Sequence, residues 1–312
     1  MPFLTPEQLS TFHTKGYLIL ENYLSPQQIT SLITETNSLL TTFDLSSHPL
    51  TQFTTGDDES NPSRAHVGDS YFLESGDKIR FFFEPDAIDP QTGTLTKPKE
   101  KAVNKIGHAL HDLSHPFESI TLSEQNAAIA RDLGFQDPRV LQSMVICKQP
   151  SIGGAVPPHR DSEFLYTSPP SAVGFWIALQ DAEVGNATLG FYPGSHRRRS
   201  GGVKRRFVRA YNEAGEVCGT EFVENKGDQF PKGLEVEEDS GEGELGEPEV
   251  STIKAGSLVL IHGNVLHKSE RNTGDKSRYA YTFHVIEGGE GWEYDGRNWL
   301  QPPEKGFSKL YR

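Results

Sequence analysis

The sequence predicts a mainly β fold with flanking helices: an N-terminal helical layer packed on an antiparallel jelly-roll core, in one domain. Three observations predict it. Two capped helix starts lie within the first 30 residues. From about residue 140, short runs of β-branched and aromatic residues recur between Gly, Pro, Asn and Asp. No β-α-β alternation, internal repeat, glycine-rich phosphate loop or Gly-x-Ser-x-Gly elbow is visible along the 312 residues.

The elements follow in order. In "TPEQLSTFHTKG", Thr5 suits an N-cap, Pro6 the first helical position and Gln8 the reciprocal half of a capping box. "GYLILENYL" reads as a strand. "SPQQITSLITETNSLL" repeats the cap with Ser25, Pro26 and Gln28, and Ile29, Leu32, Ile33, Leu39 and Leu40 form its apolar stripe. Further helices are expected at "EKAVNKIGHALHDL" and "SEQNAAIARDLG". Strands are expected at "LQSMVICKQ", "AVGFWIALQDA", "ATLGFYPG", "STIKAGSLVLIHG" and "SRYAYTFHVIEG". This gives a single domain over 1–312, with the helical layer at about 1–135 and the jelly-roll core at about 136–290. An acidic insertion falls at about 233–250.

That insertion, "GLEVEEDSGEGELGEPEV", carries eight acidic residues and no basic one, most of the formal charge of −13. Its composition predicts a solvated loop between strands. The charge argues against a nucleic-acid binder, and no apolar run is long enough for a membrane span. The N-terminus lacks a signal-peptide pattern, and Cys147 and Cys218 form no metal-type pair. "FSKLYR" holds a Ser-Lys-Leu that is not terminal, so a cytoplasmic location is expected. Nothing in the sequence fixes an oligomeric state.

The candidate chemistry starts at "PPHRDSEFLY". If this segment is extended, His159 and Asp161 point to one face, which suits a divalent metal or a structural hydrogen bond. One His-x-acid pair is about what composition supplies by chance. A metal site needs a third ligand, as in the two-His, one-carboxylate set of non-haem iron oxygenases. His196, in "YPGSHRRR", suits a turn or the site's edge. His284 lies mid-strand, sharing a face with Arg278, Ala280 and Thr282. His262 and His267 flank "GNVL" after an apolar strand, and spacing leaves both open. Arg278 returns 11 residues after His267; pointing inward, it would need a carboxylate or phosphate partner, and its fork suits a carboxylate.

The segments "SGDKIRFFFE", "VNKIGHALH", "LQSMVICKQP", "PPHRDSEFLYT", "GFWIALQDA", "FYPGSH", "LVLIHGNVLHKSERN" and "SRYAYTFH" resemble the phytanoyl-CoA dioxygenase family in order, from about residue 10 to 290. The resemblance implies a double-stranded, cupin-like β-helix and an Fe(II)- and 2-oxoglutarate-dependent dioxygenase that uses dioxygen, with ascorbate as a supporting reductant. It implies His159, Asp161 and His267 as iron ligands, selecting His267 over His262. It also implies Arg278 as the clamp for the distal carboxylate of 2-oxoglutarate, with Lys105, Met144 and Trp176 as further co-substrate contacts. His159 and Asp161 would meet the chelating end of the co-substrate at the metal.

Two departures or choices carry weight. Relatives often have Asn-Gly where this chain reads Asn186-Ala187, which puts the local strand position in question. Aspartate at 161 implies hydroxylation; the halogenating branch has a small residue there. The substrate expected is a small molecule, with an acyl-CoA or lipid-like metabolite suggested by the basic stretch 196–209. The rivals are a non-catalytic jelly-roll module that binds metal or ligand and a metal-dependent hydrolase or isomerase.

Overall fold

The computed structural model describes residues 2–52, 68–239 and 246–311. Helix α1 (Pro6–Lys15) begins at Thr5, whose hydroxyl accepts from Gln8 N at 3.2 Å while the Gln8 amide oxygen accepts from Thr5 N at 2.8 Å. It stops at Gly16, φ 82°, where a Cβ would come within 2.6 Å of His196 Nδ1. Gly meets both the dihedral and the space demand. Strand β1 (Tyr17–Leu20) follows. Helix α2 (Pro26–Thr42) repeats the capping box with Ser25 and Gln28 and buries Leu32 and Leu40.

After α3 (Ser70–Leu73), strands β2 (Ile79–Phe83) and β3 (Val103–His108) pair antiparallel. Here the structure overturns the helix expected over 100–113. Val103, Ile106, Leu110 and Leu113 are spaced like a helical stripe. Yet β3 is flanked by strands on both sides and is buried almost throughout, so it shows no period-two alternation. Only α4 (Leu110–Leu113) is helical there, and α5 (His115–Thr121) and α6 (Glu124–Asp132) follow.

The next elements are β4 (Pro138–Lys148), β5 (Val156–His159), the single turn α7 (Asp161–Phe164), β6 (Thr167–Ser168), β7 (Val173–Ala178) and β8 (Leu189–Phe191). The hairpin β9 (Arg205–Tyr211) and β10 (Val217–Glu224) leads to β11 (Glu249–Val250), β12 (Leu258–His262), β13 (His267–Ser269) and β14 (Arg278–Glu287). Short strands β15 (Glu293–Tyr294) and β16 (Ser308–Lys309) close the chain.

Two sheets result. The major one runs β1-β12-β7-β14-β4-β3-β2, with β16 on the flank of β4; the minor one runs β11-β8-β13-β5. The first 135 residues therefore supply both edge strands of the major sheet as well as the helical cover. Alternation along β14 divides the molecule. Tyr279, Tyr281, Phe283 and Val285 join the core beneath the helices, with Leu32, Phe117 and Ile129. Arg278, Thr282 and His284 face the opposite way, into a cavity between the sheets. This is the jelly-roll arrangement the sequence predicts.

Candidate metal centre

The cavity measures about 440 Å³, and residues of both sheets line it. On the minor sheet, β5 and β13 pair so that His159 stands directly opposite His267, with ring centroids 4.2 Å apart. The expected extension of the His-x-Asp segment holds only as far as Arg160 (φ −120°, ψ 130°); Asp161 already opens α7. Extended backbone at Arg160 is enough to turn both side chains the same way. Asp161 Oδ1 lies 3.6 Å from His159 Nε2 and 3.7 Å from His267 Nε2.

Hydrogen bonds fix what these atoms offer. His159 Nδ1 lies 2.9 Å from Pro157 O, and His267 Nδ1 lies 3.1 Å from Val265 O. A carbonyl only accepts, so each Nδ1 carries the hydrogen and each Nε2 presents a lone pair. Burial, with His159 beside it, pushes the His267 imidazole down to about 4, so it is neutral at pH 7. Burial alone would raise the Asp161 carboxyl, but His267, His284 and hydrogen bonds outweigh it and hold it well below the carboxylate range. Two lone pairs and a carboxylate oxygen thus face one another within 4.8 Å. Such a set repels itself unless a cation lies among the three, and two imidazoles with one carboxylate suit Fe(II). Among the described residues this is the one group of three His, Cys, Asp or Glu with such spacing.

A fourth member, His284, stands beside the triad, in a role that the sequence does not give it. His284 Nε2 donates to Asp161 Oδ2 at 3.3 Å, and Gln142 Nε2 lies 3.4 Å from His284 Nδ1. A Cβ at Gly174 would meet Asp161 Oδ2 at 3.2 Å and His284 Nε2 at 3.4 Å, so Gly174 leaves room for the pair. His284 orients the carboxylate without joining the triad. The other two histidines considered lie elsewhere. His262 accepts from Asn264 N through Nδ1 and packs on His196 at 4.6 Å, while His196 Nε2 bonds His13 O, tying α1 to the β8–β9 connection.

Arg278 is nearly fully buried. Its Nε and Nη2 donate to Ala187 O at 3.2 and 2.8 Å, and Nη1 has no partner among the described residues. Ala187 stands in the left-handed region at φ 71°, and its carbonyl accepts from the guanidinium. Burial lowers the Arg278 pKa to about 10, so the charge persists at neutral pH. A buried cation with an idle N–H fits a carboxylate ligand. Trp176 lies under the guanidinium, ring centroid 5.4 Å away, and Met144 lines the same cavity. Lys105 lines it too, and burial holds its amine well below the usual lysine range, opposed by nearby Glu84. Ser269, two residues after His267, is a further buried lining residue not singled out in the sequence.

A protein-family profile described as Phytanoyl-CoA dioxygenase (PhyH) matches residues 12–280. The chain belongs to the phytanoyl-CoA dioxygenase family. It is 46% identical to phytanoyl-CoA dioxygenase domain-containing protein 1 from Bos taurus, with all of both chains covered. It is 39% identical to phytanoyl-CoA dioxygenase from Arabidopsis thaliana, over 96% of this chain and 94% of that one. Among solved structures, the family fold is shared with the epimerase SnoN in complex with Fe3+, alpha ketoglutarate and nogalamycin RO (TM-score 0.57, 14% identity, 97% of each chain). It is shared also with the apoform of EctD from S. alaskensis (TM-score 0.58, 17% identity, 100% of this chain and 86% of that one). Among the described residues, no helix is long and apolar enough to cross a membrane.

Proposed function

We propose that this family member is an Fe(II)- and 2-oxoglutarate-dependent dioxygenase that hydroxylates a C–H bond of a small molecule. The observation that carries the reading is the pairing of a triad of converging donors with a buried arginine whose Nη1 awaits an anion. His159, Asp161 and His267 would hold the iron and Arg278 the far carboxylate of 2-oxoglutarate. Lys105, Met144 and Trp176 would shape the walls around it. Bound iron supplies dioxygen activation; the balance is substrate R–H, 2-oxoglutarate and dioxygen giving R–OH, succinate and carbon dioxide. With iron bound, Asp161 would serve as the carboxylate ligand whose place halogenation needs vacated, which favours hydroxyl transfer.

The chain's own contribution is placement and exclusion of water. His159 and His267 are locked as Nδ1–H tautomers, His284 fixes the tilt of Asp161, and β14 carries both Arg278 and His284 on one face. For an acyl-CoA, four of the seven Lys and Arg residues of 196–209 are already engaged. Arg197 and Arg199 pair with Glu237 and Glu238 of the acidic insertion, Arg205 with Glu163, and Arg206 with Asp295. Those guanidinium groups answer local carboxylates, so the basic stretch is no ready phosphate cradle. Residues 240–245 of the insertion lie outside the described residues, and Glu249–Val250 form a strand against β8.

The test is succinate formation from 2-oxoglutarate by the full chain with Fe(II), ascorbate and oxygen. Succinate supports the reading. Metal bound with no turnover favours the non-catalytic module.

A further inference from the structure

The cavity has two unlike ends, set by the register of β4 against β14. Lys148 stands opposite Arg278 at one end and Gln142 opposite His284 at the other, six residues and so about 20 Å apart. The Lys148 end gathers charged lining residues: Glu84, Lys105, Lys268 and Arg271 beside Lys148 and Arg278. The Gln142 end, above Asp161 and His284, is walled by rings and carries no further charge. Trp299 stacks on Phe72 at 4.4 Å and meets His108 edge-on at 5.3 Å, and Phe164 packs on Phe207 at 5.4 Å.

Hydrogen-bond direction fixes what the two polar groups of this end offer. Ser75 Oγ donates to Phe72 O at 2.5 Å, so its bond of 2.7 Å to His108 is accepted from Nδ1–H. His108 therefore presents an Nε2 lone pair. His284 donates from Nε2 to Asp161, so its Nδ1 accepts from Gln142 Nε2. That leaves Gln142 Oε1 outside the His284 bond, and it is buried with no partner among the described residues. Both residues are at least nine-tenths buried and line the cavity. One end of the cavity thus presents two acceptors among aromatic rings.

Resting on the dioxygenase reading above, we propose that the substrate is an uncharged, flat, largely apolar molecule carrying a hydroxyl or N–H donor. The donor is received by Gln142 Oε1 and His108 Nε2, while Phe72 and Trp299 pack on the body. An acceptor left unpaired in a dry pocket penalises any ligand that lacks the donor, and a carboxylate or phosphate would meet two lone pairs. The same amide links the donor through His284 to Asp161, so the molecule is oriented against the metal ligands themselves.

The test is isothermal titration calorimetry of the full chain loaded with Fe(II) and saturating 2-oxoglutarate under nitrogen. Three probes share one ring system: 2-naphthol, 2-methoxynaphthalene and 2-naphthoate. The expected result is 2-naphthol binding about tenfold more tightly than the ether, the value of one buried hydrogen bond, with 2-naphthoate no tighter than the ether. Gln142→Met and His108→Phe should each cut that preference below about threefold while leaving the ether's affinity within about twofold. If His108→Phe does not fold, Gln142→Met decides. Equal binding of naphthol and ether, or tightest binding of naphthoate, overturns the proposal. Succinate formation on the same preparations separates the two readings: turnover without a donor preference sinks this inference alone. A donor preference without turnover sinks the dioxygenase reading, and with it the word substrate, and leaves the donor-binding end as the site of a bound ligand.

Discussion

At the scale of single residues, the account stands on direction as much as distance. Three donors converge because Pro157 O and Val265 O hold two imidazole hydrogens away from the site. His284→Leu removes the donor to Asp161 Oδ2, and metal affinity should fall about 10- to 100-fold with the fold retained; a metal titration followed by circular dichroism checks both. Arg278→Gln should raise the apparent KM for 2-oxoglutarate about 100-fold or more, because a buried carboxylate loses its charged fork. An unchanged KM there would remove the clamp. The His159, Asp161 and His267 cluster is legible in the sequence only jointly: His159-x-Asp161 alone matches chance, and His262 stands level with His267 until the family resemblance separates them. His284 had been placed on the Arg278 face by strand alternation. Its bond to Asp161 spans 123 residues and depends on two sheets meeting, which no local pattern encodes.

At the scale of elements, the capping boxes of α1 and α2 and the strands β4, β7, β8, β12 and β14 are readable because their signals are local, whereas the β9–β10 hairpin, whose basic and acidic residues mask a strand pattern, is not. Nor is strand β3, since burial on both faces erases alternation and leaves apolar spacing that mimics a helix. The loop from β4 to β5 shows how elements carry the site. Glu84 accepts from Gly154 N at 3.0 Å, and Lys148 donates to Gly154 O, so the peptide groups on both sides of one residue are held just before His159's strand. Asn272, between β13 and β14, accepts from Gly274 N and donates to Lys148 O at 3.0 Å and Lys276 O at 2.8 Å. Its backbone N also donates to Gly153 O at 2.9 Å. Asn272→Ala strips Lys148 O, Lys276 O and Gly274 N of their side-chain partner, the first of these contacts buried, and should cost about 2–4 kcal/mol in urea denaturation. The KM for 2-oxoglutarate should rise as well, because the same turn delivers Arg278. A variant as stable as wild type would mean that the turn holds itself.

At the scale of the whole molecule, buried neutral histidines set the response to acid. Burial holds His111 and His196 down at about 4, and His108 and His262 well below their ordinary value. In the unfolded chain each takes a proton near pH 6.5, so between about pH 6.5 and 4 the unfolded state binds more protons. Stability is therefore full above that window and falls as pH drops through it, by up to about 3 kcal/mol for a group such as His111. The urea midpoint should decline from pH 7 to pH 5, and His111→Asn should shallow the slope; a flat profile would contradict the neutral burial of these rings. The two-sheet cavity unites everything above: helices cover the major sheet, the minor sheet brings two histidines together, and β14 carries Arg278 and His284 on one face. The most direct measurement is succinate released from 2-oxoglutarate with Fe(II) and oxygen, compared between the wild-type chain and Asp161→Ala. The account predicts steady succinate from wild type and none from a folded Asp161→Ala. No succinate from a wild-type chain shown to hold iron would contradict it.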